Sequence, residues 1–204
     1  MNTKKWIYVL SIVTILSVLS AAILIYIDSN GATKFTVVSA PKQEDVVSPI
    51  KAEKADVDFS QIDLGSNLAL NKKITENNHT QEYGAKNAID GDVKTYWEGA
   101  PDSYPNTLAI DMESPVDAKC VRVKVNPNNM WEKRKQTISI YGSLDDKNYS
   151  ELSAAADYVF DPVSGNAVII NFNNSNLRYL KLDFTNNTAA TGGQAAEVEI
   201  YSGK

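Results

Sequence analysis

The chain has 204 residues, 20 basic and 25 acidic side chains and a net charge of −5, a balance that argues against a dedicated nucleic-acid binder. At 43% hydrophobic and 22% charged it has the composition of a folded protein, and its length suits one globular domain but not two independent enzymatic ones. The single cysteine, Cys120, excludes an intrachain disulfide and a Cys-rich zinc site, and the single histidine, His79, excludes a multi-histidine metal centre.

From Trp6 to Ile27 the chain runs 22 residues without a charged side chain, bounded by Lys4-Lys5 and Asp28. As a helix such a run reaches ~33 Å, enough for the ~30 Å hydrocarbon core of a bilayer, and Trp6 and Tyr26 sit where interfacial aromatics belong. A cleaved leader has a shorter apolar core, of about 7–15 residues ending at a small-residue site, whereas Ser20-Ala21-Ala22 is followed by more apolar sequence. The reading is an uncleaved transmembrane helix over 6–27. Lysines on the 1–5 tail place that tail in the cytoplasm and the rest of the chain outside, as a single-pass membrane protein. Residues 28–65 carry mixed charges and only short apolar clusters, too little to offset the entropy of ordering. They read as a flexible stalk with one short strand near Phe35–Val38.

Beyond Asn67 the pattern becomes short runs of Val, Ile, Tyr and Phe with alternating character, separated by Asn, Asp, Gly and Pro, which is the spacing of an all-β domain over 66–204. Candidate strands are Thr107–Met112, Val121–Asn126, Thr137–Gly142, Ala167–Phe172, Arg178–Phe184 and Glu197–Tyr201. Leu108, Ile110 and Met112, and likewise Val121, Val123 and Val125, form the inward sets expected when one sheet face is buried. Two such sheets stack as a β-sandwich.

The loop from Asn87 to Thr95 concentrates oxygen: Asp90, Asp92, Thr95 and several carbonyls within nine residues, with Gly91 to permit a sharp turn. Calcium takes six to eight such hard ligands. The competing reading is a plain Asx-turn in which Asp90 caps backbone amides. Trp97 directly follows, at an inward position, and belongs to the core. Trp131 stands out in the polar loop Asn126–Arg134, where a large apolar ring requires an explanation. A sugar's C–H face would cover it, with Arg134, Glu98 and Asn187 bonding hydroxyls around it. The alternative is a structural clasp, the ring folded over the core edge and Arg134 paired to Glu98. His79 and Tyr83 lie on another apical loop as weaker contact candidates, and Cys120 is a small buried hydrophobe.

Six segments in order resemble the discoidin or coagulation-factor V/VIII C-type domain family among the galactose-binding-like jelly rolls. They are Asn67-Leu68-Ala69; Asn87-Ala88-Ile89-Asp90-Gly91-Asp92 with Thr95 and Trp97; Leu108–Asp111; Ile138–Ser143 with Asp145; Arg178–Leu182; and Glu197–Tyr201. Bacterial carbohydrate-binding modules of this fold are the nearest look-alikes. The resemblance implies an eight-stranded jelly-roll sandwich, a structural Ca2+ whose site Glu197 closes, and a ligand surface on the loops of one end. No nucleophile elbow, phosphate loop or Cys-His pair is present, and Glu197 and Glu199 have no evident cleft between them, so no catalytic residue is assigned. The expected function is a non-catalytic, membrane-anchored carbohydrate-binding module that takes a glycan or polysaccharide. The alternative is a protein-interaction or structural domain of a surface assembly.

Overall fold

The computed structural model describes residues 23–27, 33–37, 57–128 and 130–203. The chain divides into two units, Met1–Glu53 and Lys54–Lys204. In the first, β1 (Ile23–Ile27) pairs antiparallel with β2 (Thr33–Val37), Ile23 opposite Val37 and Ile27 opposite Thr33. The expected membrane helix therefore does not run through its last five residues, which form a strand. β-Branched Ile23, Ile25 and Ile27 favour extended backbone, and the dipeptide Asn30-Gly31 between the two strands is of the kind that hairpins use. The rest of the anchor, 6–22, the 1–5 tail and much of the stalk lie outside the described residues. Among the described residues no helix is long and apolar enough to cross a membrane.

The second unit is an all-β sandwich of eight strands: β3 (Lys73–Glu76), β4 (Trp97–Glu98), β5 (Asn106–Lys124), β6 (Arg134–Ser143), β7 (Ser150–Phe160), β8 (Ala167–Asn187), β9 (Gln194–Ala195) and β10 (Glu197–Tyr201). Six of them follow the order β10-β5-β8-β6-β7 with β3 also on β5, and β4 and β9 make a separate two-stranded sheet. Four of the expected strands merge into two. Thr107–Met112 and the first four residues of Val121–Asn126 belong to β5, and Ala167–Phe172 and Arg178–Phe184 to β8, its antiparallel partner. Their register slips between Asp111 and Val116 and again between Ala118 and Cys120, and Glu113 adopts φ 68 beside the first slip. Such bulges bend a ribbon.

The bend explains the core. Leu108, Ile110 and Met112 from the first half of β5, and Val121, Val123 and Val125 at and just beyond the end of its second half, all lie in one cluster, although the buried positions change parity between the halves. Leu180, Leu182 and Phe184 of β8, Ile138 and Ile140 of β6, and Val198 and Ile200 of β10 complete it. Trp97 is fully buried, 5.3 Å from the Phe184 ring. Cys120 is buried, and burial raises its thiol pKa.

The fold takes in part of the expected stalk. Buried Arg122 of β5 donates from Nη1 to the carbonyls of Ile62 (2.7 Å) and Phe59 (3.3 Å), from Nη2 to the Tyr201 hydroxyl (2.6 Å), and from Nε to Glu199. Lys124 meets the other Glu199 oxygen at 2.8 Å. Burial alone would raise the Glu199 pKa, but the two cations outweigh it and hold the carboxyl below its ordinary value. Phe59 N–H donates to the Ser164 carbonyl, so residues 57–65 strap along the domain.

Candidate functional site

At one end of the sandwich, strand termini bring five polar side chains together. Gln136 near the start of β6 pairs in register with Asn187 at the end of β8, and Glu98 of β4 lies opposite Gln194 of β9. Gln194 is the hub. Its Oε1 accepts from Arg134 Nη1 at 2.6 Å, and its Nε2 donates to Glu98 Oε2 at 2.9 Å. The backbone N–H of Gln194 donates to Gln136 Oε1 at 2.8 Å, and Gln136 Nε2 donates to the Gln194 carbonyl at 2.9 Å. Tight chain packing allows this convergence: a Cβ on Gly192 would lie 2.1 Å from the Gly99 carbonyl oxygen, so only glycine fits.

An aromatic cluster covers the network. The Tyr83 and Tyr96 rings stack with centroids 4.4 Å apart, and Tyr96 meets the Trp131 ring edge-on at 4.8 Å. The Arg134 guanidinium lies 4.5 Å from the centroid of the Trp131 ring, a cation–π contact. Trp131 is half-buried and packs against the core edge; its loop is pinned by its own N–H to the Asn128 carbonyl (2.8 Å) and by Asn166 Nδ2 to its carbonyl (3.4 Å). Burial pulls the Arg134 pKa down, opposed by the charges of Glu98 and Glu132. Burial also raises the Tyr96 phenol pKa, followed by Tyr83 and the charges of Glu98 and Glu82.

All four expected ligand residues meet here, but in different capacities. Trp131 meets Tyr96 in an edge contact and carries Arg134 over its ring. Glu98 uses one carboxylate oxygen on Gln194 and leaves the other without a protein partner among the described residues. Arg134 is buried and reaches Glu98 only through Gln194, so the expected direct clasp between the two is replaced by a bridge. Asn187 is buried and committed: Nδ2 donates to the Gly192 carbonyl at 2.9 Å, and Oδ1 accepts from Ala189 N–H at 3.0 Å. It shapes the 187–192 loop instead of facing outward. Tyr83 is only a weaker candidate in the sequence, and Gln194, between two glycines and an alanine, carries no pattern there. His79 pairs with Glu76 at 2.9 Å.

The oxygen-rich loop is a second centre. Thr95 Oγ1 lies 2.8 Å from Asp90 Oδ2, 2.9 Å from the Asp92 carbonyl and 3.5 Å from the Asn87 carbonyl. Gly91, at φ 85, donates its N–H to Glu197 Oε1 at 2.8 Å, tying the loop to β10. Asp90 Oδ1 accepts from Asp92 N–H, and the Asp92 carboxylate turns to Lys94 N–H, so Asp92 brings its carbonyl to the cluster. Glu197 is 2% exposed and its Oε2 is buried without a partner. Burial, then the adjoining Asp90 carboxyl, push the Glu197 pKa up to about 8 against the pull of Gly91 N–H. Asp90 and the carbonyls of Asn87 and Asp92 gather on the Thr95 hydroxyl, and Glu197 is tied to the same loop at Gly91; oxygens of these kinds are the ones a hard cation takes. Among the described residues no three of His, Cys, Asp and Glu group as metal ligands, and this holds for Asp90, Asp92 and Glu197 as well.

The F5/8 type C domain family matches residues 72–198. No curated protein sequence matches the chain. Among solved structures, chitosan-binding module 2 from the chitosanase/glucanase of Paenibacillus sp. IK-5, in complex with chitotriose, is 22% identical with a TM-score of 0.53, covering 66% of this chain and 99% of that one. The CpGH89CBM32-5 module of Clostridium perfringens, in complex with GalNAc-β-1,3-galactose, is 20% identical with a TM-score of 0.56, covering 67% and 99%. The CBM32 of AlyQ, in complex with 4,5-unsaturated mannuronic acid, is 22% identical with a TM-score of 0.52, covering 63% and 93%. At these identities the likeness is one of fold.

Proposed function

Because the chain belongs to the F5/8 type C domain family, we propose that its folded domain is a non-catalytic carbohydrate-binding module holding a glycan on Trp131, Tyr96 and Tyr83. The observation that carries this reading is the aromatic cluster over a bonded polar network at the loop end of the sandwich. Rings accept the C–H face of a sugar, and a few fixed polar groups orient its hydroxyls. Glu98 supplies an acceptor. Arg134, held by Gln194 and stacked on Trp131, keeps the ring in place and offers its Nη2 amine. The sugars bound by the three structural neighbours support the ligand class.

The oxygen-rich loop is proposed as a structural calcium site, with Asp90, Thr95, Glu197 and the carbonyls of Asn87 and Asp92 as ligands. A bound cation would neutralise the Asp90–Glu197 pair and lock the loop to β10. The apolar run of the sequence supports display of the module from a membrane, outside the cell, where millimolar calcium fills even a weak site.

The test is a glycan array probed with the purified full chain, followed by calorimetry on each hit. Shallow loop-borne sites give dissociation constants in the micromolar to millimolar range, where 1 mM corresponds to about −4 kcal/mol. Binding that survives Trp131→Ala, or an array blank at millimolar sensitivity, contradicts the reading.

A further inference from the structure

Two rings of the aromatic cluster are held by the oxygen-rich loop. Tyr96 follows Thr95 directly in the chain. The Asn87 carbonyl lies 3.5 Å from the Thr95 hydroxyl, and the Asn87 side chain donates from Nδ2 to the Tyr96 carbonyl at 2.9 Å. The same residue that brings a carbonyl to the oxygen cluster therefore sets where the Tyr96 backbone lies.

Trp131 is reached by a second route, through Asn126. Its Nδ2 donates to the Lys94 carbonyl at 3.2 Å, and its Oδ1 accepts from Asn128 N–H at 2.9 Å. The Asn128 carbonyl in turn accepts from Trp131 N–H at 2.8 Å, and Asn166 Nδ2 lies 3.1 Å from the Asn126 carbonyl and 3.4 Å from that of Trp131. Lys94 stands inside the oxygen-rich loop: its N–H donates to Asp92 Oδ1 at 3.0 Å, and the Thr95 hydroxyl that follows meets the Asp92 carbonyl at 2.9 Å. One side chain, Asn126, thus bonds the oxygen-rich loop on one side and the Trp131 loop on the other. The Tyr96 and Trp131 rings meet edge-on at 4.8 Å between these two holds.

Resting on the carbohydrate and calcium readings above, we infer that Asn126 is the positioning residue through which an ion in the Asn87–Thr95 loop sets the platform of Trp131 and Tyr96, so that calcium strengthens glycan binding without touching the sugar. A cation draws together the Asp90 and Glu197 carboxyls, whose charges otherwise repel, and this fixes the Lys94 carbonyl that Asn126 bonds. The glycan gains because both rings are in place before it arrives. By linkage, the glycan tightens calcium by the same factor.

The test uses the 15N-labelled full chain stripped with chelator, titrated with calcium alone and then, in calcium and in chelator, with the tightest hit from the glycan array. Calcium should raise the melting temperature, shift the Trp131 indole N–H signal and strengthen glycan binding about fivefold. Asn126→Asp keeps the acceptor for Asn128 N–H and loses the donor to Lys94. In that variant calcium should still raise the melting temperature, while the Trp131 indole no longer responds to it and the gain in glycan affinity falls below about twofold. A packing role for Asn126 would lower stability and leave the gain intact. Glycan affinity equal with and without calcium, or an undiminished gain in Asn126→Asp, overturns the inference and leaves both site readings standing. Calcium that moves neither the melting temperature nor the indole overturns it together with the calcium site and leaves the carbohydrate reading untouched. A blank glycan array removes the carbohydrate reading and this inference with it.

Discussion

Replacing Trp131 by alanine separates a ligand platform from a core keystone. The ring is half-buried, touches Tyr96 at 4.8 Å on its edge and Arg134 at 4.5 Å on its face, and rests on the core margin. Truncating a fully buried aromatic costs about 3–5 kcal/mol. Half of that area, together with an overlapping cation–π contact, gives about 2 kcal/mol of destabilisation. For a folded unit of this size that is a drop of about 4–8 °C in melting temperature. Differential scanning calorimetry reads the drop, and affinity electrophoresis through polysaccharide gels reads binding of the same sample. The expected pair is a modest loss of stability with complete loss of retention. A loss of 4 kcal/mol or more, or retention unchanged without the ring, refutes the reasoning.

Three more outcomes are expected. Excess chelator should lower the melting temperature by several degrees in a protein purified with calcium, since ligand at ~100 times its dissociation constant adds about 2.7 kcal/mol to the native state; Asp90→Ala should melt at the chelated temperature with or without calcium. In chelator, stability should fall as pH rises from about 4.5 to about 8, because the folded Glu197 carboxyl holds its proton across that window while the unfolded one does not; urea titrations should show this slope flattened in Glu197→Gln. Arg122→Leu should cost about 3 kcal/mol by leaving buried Glu199 with Lys124 as its cationic partner, and limited proteolysis should then cut within residues 57–65, which lose their two carbonyl anchors.

The sandwich was legible because its core strands alternate cleanly, as at Leu108–Met112 and Val121–Val125. What escaped had physical reasons. β7 contains Ala154, Ala155 and Ala156 and buries only Phe160, so an exposed edge strand shows no period-two signal. β4 and β9 are two residues each, held by tertiary packing of Trp97 and by the Gly99–Gly192 approach, which no local pattern encodes. Merging of the strands in β5 and β8 came from bulges that pair across Asp117 and Asn176, positions polar enough to read as turns. The 57–65 strap read as stalk because its order comes from Arg122, 60 residues away from Ile62 in the chain. The oxygen loop was visible since Asp90, Asp92 and Thr95 are local, whereas Glu197 came only through the family resemblance. Trp131, Arg134 and Glu98 do lie at one end of the sandwich, but Gln194, which joins Arg134 to Glu98, left no trace in the sequence.

A sugar lying on the Trp131 ring would be seen directly by the indole N–H. The chain has three tryptophans, and Trp97 is fully buried away from solvent, so the indole N–H signals of the 15N-labelled full chain provide a target and an internal control. Titrating the best array hit should shift the Trp131 indole in a saturable, dose-dependent manner with the calorimetric affinity, while the Trp97 indole stays in place. A bound glycan that leaves the Trp131 indole unmoved contradicts a sugar site on this ring.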